Sequence, residues 1–242
     1  MDGPTEPIIV VIGHPIAGNP AQFACERALR SLKLEWRVLS FDVKPEDVAT
    51  ALEGFAVTGI QGVIIDSTLS AEACHWFERH SGNPATTLDC LARDEALTFS
   101  AGFEQQRWVD EQISRHGGEQ RLWMGPRSGD SPASLDGFRE LAEIPADIAD
   151  LVSQADVIVI SGAEDHPIRL ESEEWPADDG STLVIDLTAG HPESAKIKQL
   201  GYRVIGDNER RIGMLQRCLY RWSGQYASTE VIHDAIEEYL SV

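Results

Sequence analysis

Four apolar runs constrain this chain more than anything else in it. Pro7 to Gly13 (PIIVVIG), Gly62 to Asp66 (GVIID), Ala155 to Ser161 (ADVIVIS) and Thr182 to Thr188 (TLVIDLT) are continuous, not alternating. Strands of that kind are covered on both faces, which a parallel sheet with helices on either side provides. Helical patterns separate them. Ala21 to Leu32 puts Phe23, Ala24, Ala28, Leu29 and Leu32 on one face, and Ala71 to Glu78 follows the GVIID run. Trp36 to Val43 alternates as a further strand, and Pro45-Glu46-Asp47 carries the proline and acidic residues favoured in a first helical turn. Successive βα units predict a parallel sheet.

After the turn Ser81-Gly82-Asn83-Pro84 the pattern weakens to two short strand candidates, Thr86 to Leu91 and Ala96 to Phe99, read as an antiparallel hairpin on the sheet edge. A linking helix is expected from Phe103 to Arg115. The second half opens with Arg121 to Pro126 and a Gly/Ser/Pro-rich loop at 125–134. Helices are predicted near 135–143 and 146–153, with the two buried strands next. A helix near 193–200, a strand at Tyr202 to Ile205 and helices at about 209–222 and 228–240 complete the chain. The division expected is 1–103 and 104–242, the last helices returning towards the first domain.

Forty acidic against 20 basic residues give a formal charge of −20, which argues against nucleic acid or an anionic membrane as partner. No apolar run approaches the roughly 20 residues of a membrane span, and MDGPTEP lacks the features of a signal peptide, so the cytoplasm is the expected location. Cys25, Cys74, Cys90 and Cys218 have neither disulfide-framework nor zinc spacing, and no metal is expected.

The order of these elements, with Gly13-His14-Pro15-Ile16 after the first strand and VIDLT, GYRVIGDNE and a helix ending Arg221-Trp222-Ser223-Gly224 near the end, resembles the shikimate dehydrogenase family. The resemblance covers nearly the whole chain. It implies a two-domain α/β architecture: an N-terminal, mostly parallel αβα sheet that binds a hydroxylated cyclic carboxylate, and a Rossmann-like domain that binds NADP. Hydride would pass across the cleft between them.

The family's chemical residues do not survive the match. Its proton-transferring lysine corresponds to Ser70, which without a partnered base cannot replace an ammonium and is read as a helix cap. The serines that hold the substrate carboxylate give way to Ala17-Gly18-Asn19-Pro20, where Asn19 either donates to a ligand or caps the next helix. Thr86-Thr87-Leu88 stands for the family's Asn-Thr-Leu, and Gly102 occupies the region of its catalytic aspartate. The substrate-contacting glutamine falls on Met214, or on Gln216 after a one-turn shift, and the tyrosine after VIDLT becomes Ala189.

Only about thirty residues separate Met124 from Ala155, and one complete βαβ unit alone needs roughly that number or more, so the second domain is expected to be truncated. Gly125-Pro126-Arg127-Ser128-Gly129-Asp130 is not G-x-G-x-x-G, and its proline removes an amide donor. Gly125, Arg127 and Ser128 are the remaining cofactor candidates. Asp66 and His14, with His191, follow strand ends and could form a new acid–base pair, whereas the neighbours Cys74 and His75 point in different directions on a helix. Trp108 and Trp175, flanked by polar residues, are candidates for an exposed interaction surface. The expectation is a divergent member of the family, without its activity, serving as a binding or interaction protein, with an unidentified small molecule as the candidate partner. The alternative is an active NAD(P)-dependent oxidoreductase on a shikimate- or quinate-like hydroxy acid.

Overall fold

The computed structural model describes residues 6–94, 98–126, 137–141, 143, 145, 148–162, 170, 174–188 and 190–241. Two compact units divide the chain: Met1–Glu104 with Ile212–Val242, and Gln105–Arg211. Residues 212–242, the returning end of the 104–242 stretch, cluster with the first unit.

The first unit is built on five strands, β1 (Ile8–Gly13), β2 (Arg37–Asp42), β3 (Gly62–Ile65), β4 (Cys90–Arg93) and β5 (Phe99–Gly102), in the order β2-β1-β3-β4-β5. β1 runs parallel to β2 and β3, and β4 and β5 add an antiparallel hairpin at the edge. The hairpin forms a few residues later in the chain than the sequence pattern suggests. Helices α1 (Ala21–Ser31), α2 (Val48–Thr58) and α3 (Ser70–Ser81) supply the crossovers.

Alternation along β1 divides the core. Val10 and Ile12 pack with Val48 and Leu52 of α2 and Ala73 and Phe77 of α3. Ile9 and Val11 pack with Ala24, Ala28 and Leu29 of α1. That second face is completed by the C-terminal helices α7 (Asp207–Ser223) and α8 (Thr229–Leu240), through Leu215, Leu219, Trp222, Ile232 and Ile236. The Trp222 indole lies directly on Gly62 of β3, where any side chain would overlap it, and its Nε1 donates to the Leu91 carbonyl at 3.0 Å.

The second unit holds an all-parallel sheet of β6 (Arg121–Met124), β7 (Phe138–Leu141), β8 (Val157–Ile160), β9 (Leu183–Asp186) and β10 (Arg203–Ile205), in the order β10-β9-β8-β6-β7. Its helices are α4 (Glu104–His116), which begins in the first unit, α5 (Ile148–Ser153) and α6 (Ser194–Gln199). The helix expected near 135–143 is corrected here: Phe138-Arg139-Glu140-Leu141 is the edge strand β7. Helix-forming residue types yield to tertiary contacts, since Phe138 meets Trp123 edge-on at 6.1 Å and Leu141 reaches the core. Trp175 is likewise no surface residue. It is buried, 5.5 Å from the Tyr202 ring, and Trp108 is half-buried against the opposite face.

All four cysteines are free and buried. Burial, then Cys90 and Glu26, pushes the Cys25 thiol from 9.0 up to about 12, and burial raises Cys218 as well. Because the unfolded thiol loses its proton first, this group's contribution is intact below about pH 9 and is lost as pH rises towards 12. Denaturation midpoints are therefore expected to decline through that window, with Cys25 resisting alkylation until the chain unfolds. Gly62→Ala, which drives a methyl into the indole, is expected to cost about 1–3 kcal/mol in urea denaturation.

Candidate functional site

In the first sheet, β1 connects through α1 to β2 on one side, and β2 connects through α2 to β3 on the other. The crevice beyond the carboxyl ends of β1 and β3 is then the topological switch point, where open α/β sheets bind their ligands. Five side chains lie at the carboxyl ends of β1, β2 and β3 in two groups, Asp66 with Asn19 and Thr68, and His14 with Asp42.

Asp66 follows β3 and begins a short 3₁₀ turn. Its Oδ1 accepts from the Thr68 amide at 3.1 Å and the Thr68 hydroxyl at 2.9 Å, and its Oδ2 accepts from Asn19 Nδ2 at 2.9 Å. Asn19 also accepts from the Ala21 amide at 2.9 Å, so it both caps the start of α1 and bridges the β1–α1 loop to the end of β3. A Cβ on Gly13 would stand 3.1 Å from Asp66 Cβ; glycine there leaves the carboxylate its room.

His14 does not pair with Asp66. Its Nδ1 lies 2.7 Å from Asp42 Oδ1, with both side chains about half exposed. The reason is register: parallel pairing sets Gly13 opposite Asp42, at the ends of adjacent strands. Asp42 was absent from the sequence candidates, although an acidic residue closing the β2 pattern is the signal that marked Asp66.

Ser70 is no helix cap. It is the first residue of α3, and its Oγ accepts from the Leu88 amide at 2.9 Å, tying the helix to the loop before β4. Thr86 is exposed in that loop. Gly102 lies in β5 opposite Cys90, where a Cβ would stand 3.0 Å from Cys90 Cβ and 3.2 Å from its carbonyl oxygen, so a side chain there would press on β4. Gln216 Nε2 donates to the Ala227 carbonyl at 2.6 Å and secures the turn between α7 and α8. Among the described residues no hydrogen bond joins Thr86, Gly102 or Gln216 to Asp66.

In the second unit the Gly125 amide donates to the Leu141 carbonyl at 3.0 Å, the Gly125 carbonyl accepts from Trp123 Nε1, and Pro126 has no amide proton. Neither residue offers a donor to a pyrophosphate, so this part of the loop does not fit the dinucleotide that the resemblance implies. Arg127 and Ser128 lie outside the described residues, as does Ala189. His191 is buried, its amide donating to Asp186 and its Nδ1 accepting from the Glu193 amide. Among the described residues no group of three or more His, Cys, Asp or Glu side chains is placed to hold a metal ion, and no helix is long and apolar enough to cross a membrane.

A charged cluster in the first unit escaped the sequence reading altogether. Glu104, only 2% exposed, accepts from Arg217 Nε at 2.9 Å and Arg221 Nη1 at 3.3 Å. Arg221 also donates to the Ser100 hydroxyl and the Ala101 carbonyl. It binds α7 to β5 and the start of α4.

No family model matches the chain. In sequence it is similar to the shikimate dehydrogenase (NADP+) of Methanothermobacter thermautotrophicus, 36% identical over 53 residues, which are 22% of this chain and 19% of that protein. The match thus spans about a fifth of that relative's length. In structure it is similar to Thermus thermophilus shikimate 5-dehydrogenase in complex with shikimate, with a TM-score of 0.69 and 17% identity, covering 98% of this chain and 100% of that one. The ligand-free 5-ketofructose reductase of a Gluconobacter species gives 0.69 and 15% over 98% and 99%. The chain has a shikimate dehydrogenase-like α/β fold over nearly its whole length.

Asp66→Ala removes three accepted hydrogen bonds and is expected to destabilise the first unit by about 1–2 kcal/mol, as loss of a helix cap does. Equilibrium denaturation checks the cost, and the Asn19 side-chain amide resonances should shift as their acceptor disappears.

Proposed function

From a chain with a shikimate dehydrogenase-like fold as premise, we propose that this protein binds a small, hydrogen-bond-donating molecule at the carboxyl ends of β1 and β3 and does not oxidise shikimate. One observation carries the second half. At the position matched to the family's lysine, the Ser70 hydroxyl is committed to the Leu88 amide. A serine hydroxyl has no ionised form near neutral pH and does not by itself take a proton from a substrate hydroxyl.

The first half is supported by comparing two aspartates in the same setting. Asp186 ends β9 as Asp66 follows β3, and it too accepts from the amide and hydroxyl of the threonine two residues on. Its Oδ2 is then filled by the His191 amide and the Ser194 hydroxyl. Among the described residues Asp66 Oδ2 takes Asn19 alone. A carboxylate oxygen accepts about two hydrogen bonds, so Asp66 Oδ2 keeps acceptor capacity for a ligand hydroxyl or amine.

A second reading, an active NAD(P)-dependent oxidoreductase on a shikimate- or quinate-like hydroxy acid, is favoured by the His14–Asp42 pair, an imidazole oriented by a carboxylate as in many general bases. The described part of the Gly125 loop weighs against it.

One set of measurements separates the two. With NADP+ and shikimate the purified chain is expected to show no cofactor reduction, and millimolar NADPH is expected to leave its melting temperature unchanged. Saturable NADPH stabilisation with shikimate-dependent turnover, abolished by His14→Ala, would establish the second reading instead.

A further inference from the structure

Strand β2 is an edge of the first sheet: among the described residues β1 pairs with one side of it and no strand with the other. We infer that this edge pairs with β2 of a second copy of the chain, antiparallel about a two-fold axis at Ser40, so that two sheets join into one.

The inference follows from which backbone groups are already committed. The Arg37 amide donates to the Pro7 carbonyl at 3.0 Å, and just past the strand the Val43 amide donates to the Gly13 carbonyl at 3.1 Å. Bonding alternates along a strand, so the odd-numbered residues from Arg37 to Val43 turn their amides and carbonyls towards β1, and Val38, Ser40 and Asp42 turn theirs outwards. Among the described residues nothing bonds these outward groups. A row of alternating donors and acceptors is satisfied by another strand, and this one is its own complement. With Ser40 opposite Ser40 of the second copy, Val38 faces Asp42 and Asp42 faces Val38, so every outward residue of the strand enters a hydrogen-bonded pair.

The side chains select the same register. Leu39 and Phe41 are each 42% exposed on the α2 side, where the Phe41 ring lies 5.8 Å from that of Phe55. They flank Ser40, so this register sets Leu39 directly against Phe41 of the second copy, and Phe41 against its Leu39, in the closer, non-hydrogen-bonded pairs. A centre at Val38 would set Phe41 against Glu35, and a centre at Asp42 would set Leu39 against Pro45. Charge permits the contact. The chain carries −20, yet Glu35, Arg37, Asp42 and Lys44 leave the segment 35–44 neutral. Arg37, held to Glu6 at 2.6 Å, and Asp42, paired with His14, stand at the two ends of the strand. Antiparallel pairing therefore brings Asp42 within one position of the second copy's Arg37, and Glu35 within one position of its Lys44. A strand of 6 residues buries less than the roughly 800 Å² per partner of a standard stable interface, so the dimer is weak and concentration-dependent.

Sedimentation equilibrium of the whole chain up to about 0.5 mM, with amide hydrogen exchange at the two ends of that range, tests the assignment. We expect a monomer–dimer equilibrium that tightens at least about threefold between about 50 and 500 mM salt, because screening relieves the repulsion between two chains of like net charge. The Val38, Ser40 and Asp42 amides should exchange at least about twofold more slowly at the higher concentration, while those of Leu39 and Phe41, already bonded to β1, keep their rates. Ser40→Pro removes an outward amide without touching the ladder to β1 and should weaken association at least about tenfold. Leu39→Lys, which leaves the backbone intact, should do the same by placing a charge in the apolar pair. A chain that stays monomeric throughout, a dimer whose slowed amides lie outside β2 or do not alternate along it, or association unchanged by Leu39→Lys would each overturn the assignment.

Discussion

The contact between Trp222 and Gly62 is the constraint on which the first unit rests. A strand of the β3 type is apolar on both sides and needs a cover on each. The α2 and α3 layer supplies one cover from nearby in the chain. The other must come from the carboxyl terminus, after the whole second unit has been threaded through, and α7 reaches β3 only because residue 62 has no side chain. The indole fills that space and spends its one donor on the Leu91 carbonyl, so a large apolar ring is buried without an orphaned N–H. Glu104 with Arg217 and Arg221 then fixes the axial position of the helix at its other contact, through partners whose charges are largely withdrawn from water. Such a cluster adds little net stability over apolar packing, but separating its members leaves a buried charge unpaired, which penalises any other seating of α7.

With that face closed, the carboxyl ends of β1 and β3 become a fixed frame for Asn19 and Asp66. The same bond that orders the β1–α1 loop also sets the polarity of the crevice, because Asn19 turns its donor inward and Asp66 contributes only acceptors. A site so arranged meets a negatively charged ligand with a carboxylate. It meets a hydroxyl or an amine with an available lone pair. The ligand preference proposed for this crevice follows from the hydrogen bonds that hold the loop.

Much of this architecture is legible in the chain. PIIVVIG, GVIID, DVIVIS and TLVIDLT announce themselves because burial on both faces leaves no room for polar alternation, and the turns that follow Asp66 and Asp186 can be read from an aspartate two residues before a threonine. What escapes is set by partners remote in sequence. FREL is helix-forming by composition and becomes β7 only because β6 offers an edge and Trp123 a contact. Ser70 carries the outward signs of a cap, yet the 3₁₀ turn begun by Asp66 runs straight into α3 and frees that hydroxyl to reach the Leu88 amide. His14 finds Asp42 through parallel register, and Glu104 lies 113 residues from Arg217 and 117 from Arg221, distances over which no local pattern can speak.

The departures from the family's chemistry are tied to structural roles, which bears on whether they could be readily reversed. Ser70 holds the loop before β4. A side chain at position 102 would press on Cys90, whose strand lines the core beneath α1 and α7. The Gly125 amide belongs to the ladder between β6 and β7, and the Gln216 amide closes the turn into α8. Restoring a lysine at 70 would strand the Leu88 amide, and an aspartate at 102 would place a carboxylate against backbone oxygen in a buried sheet. Each restoration would thus disturb the packing of the unit that carries it, and the costs fall at separate places in the fold. At these positions the side chains and amides present serve the scaffold, and the polar groups at the ends of β1 and β3 include those of Asp66 and His14.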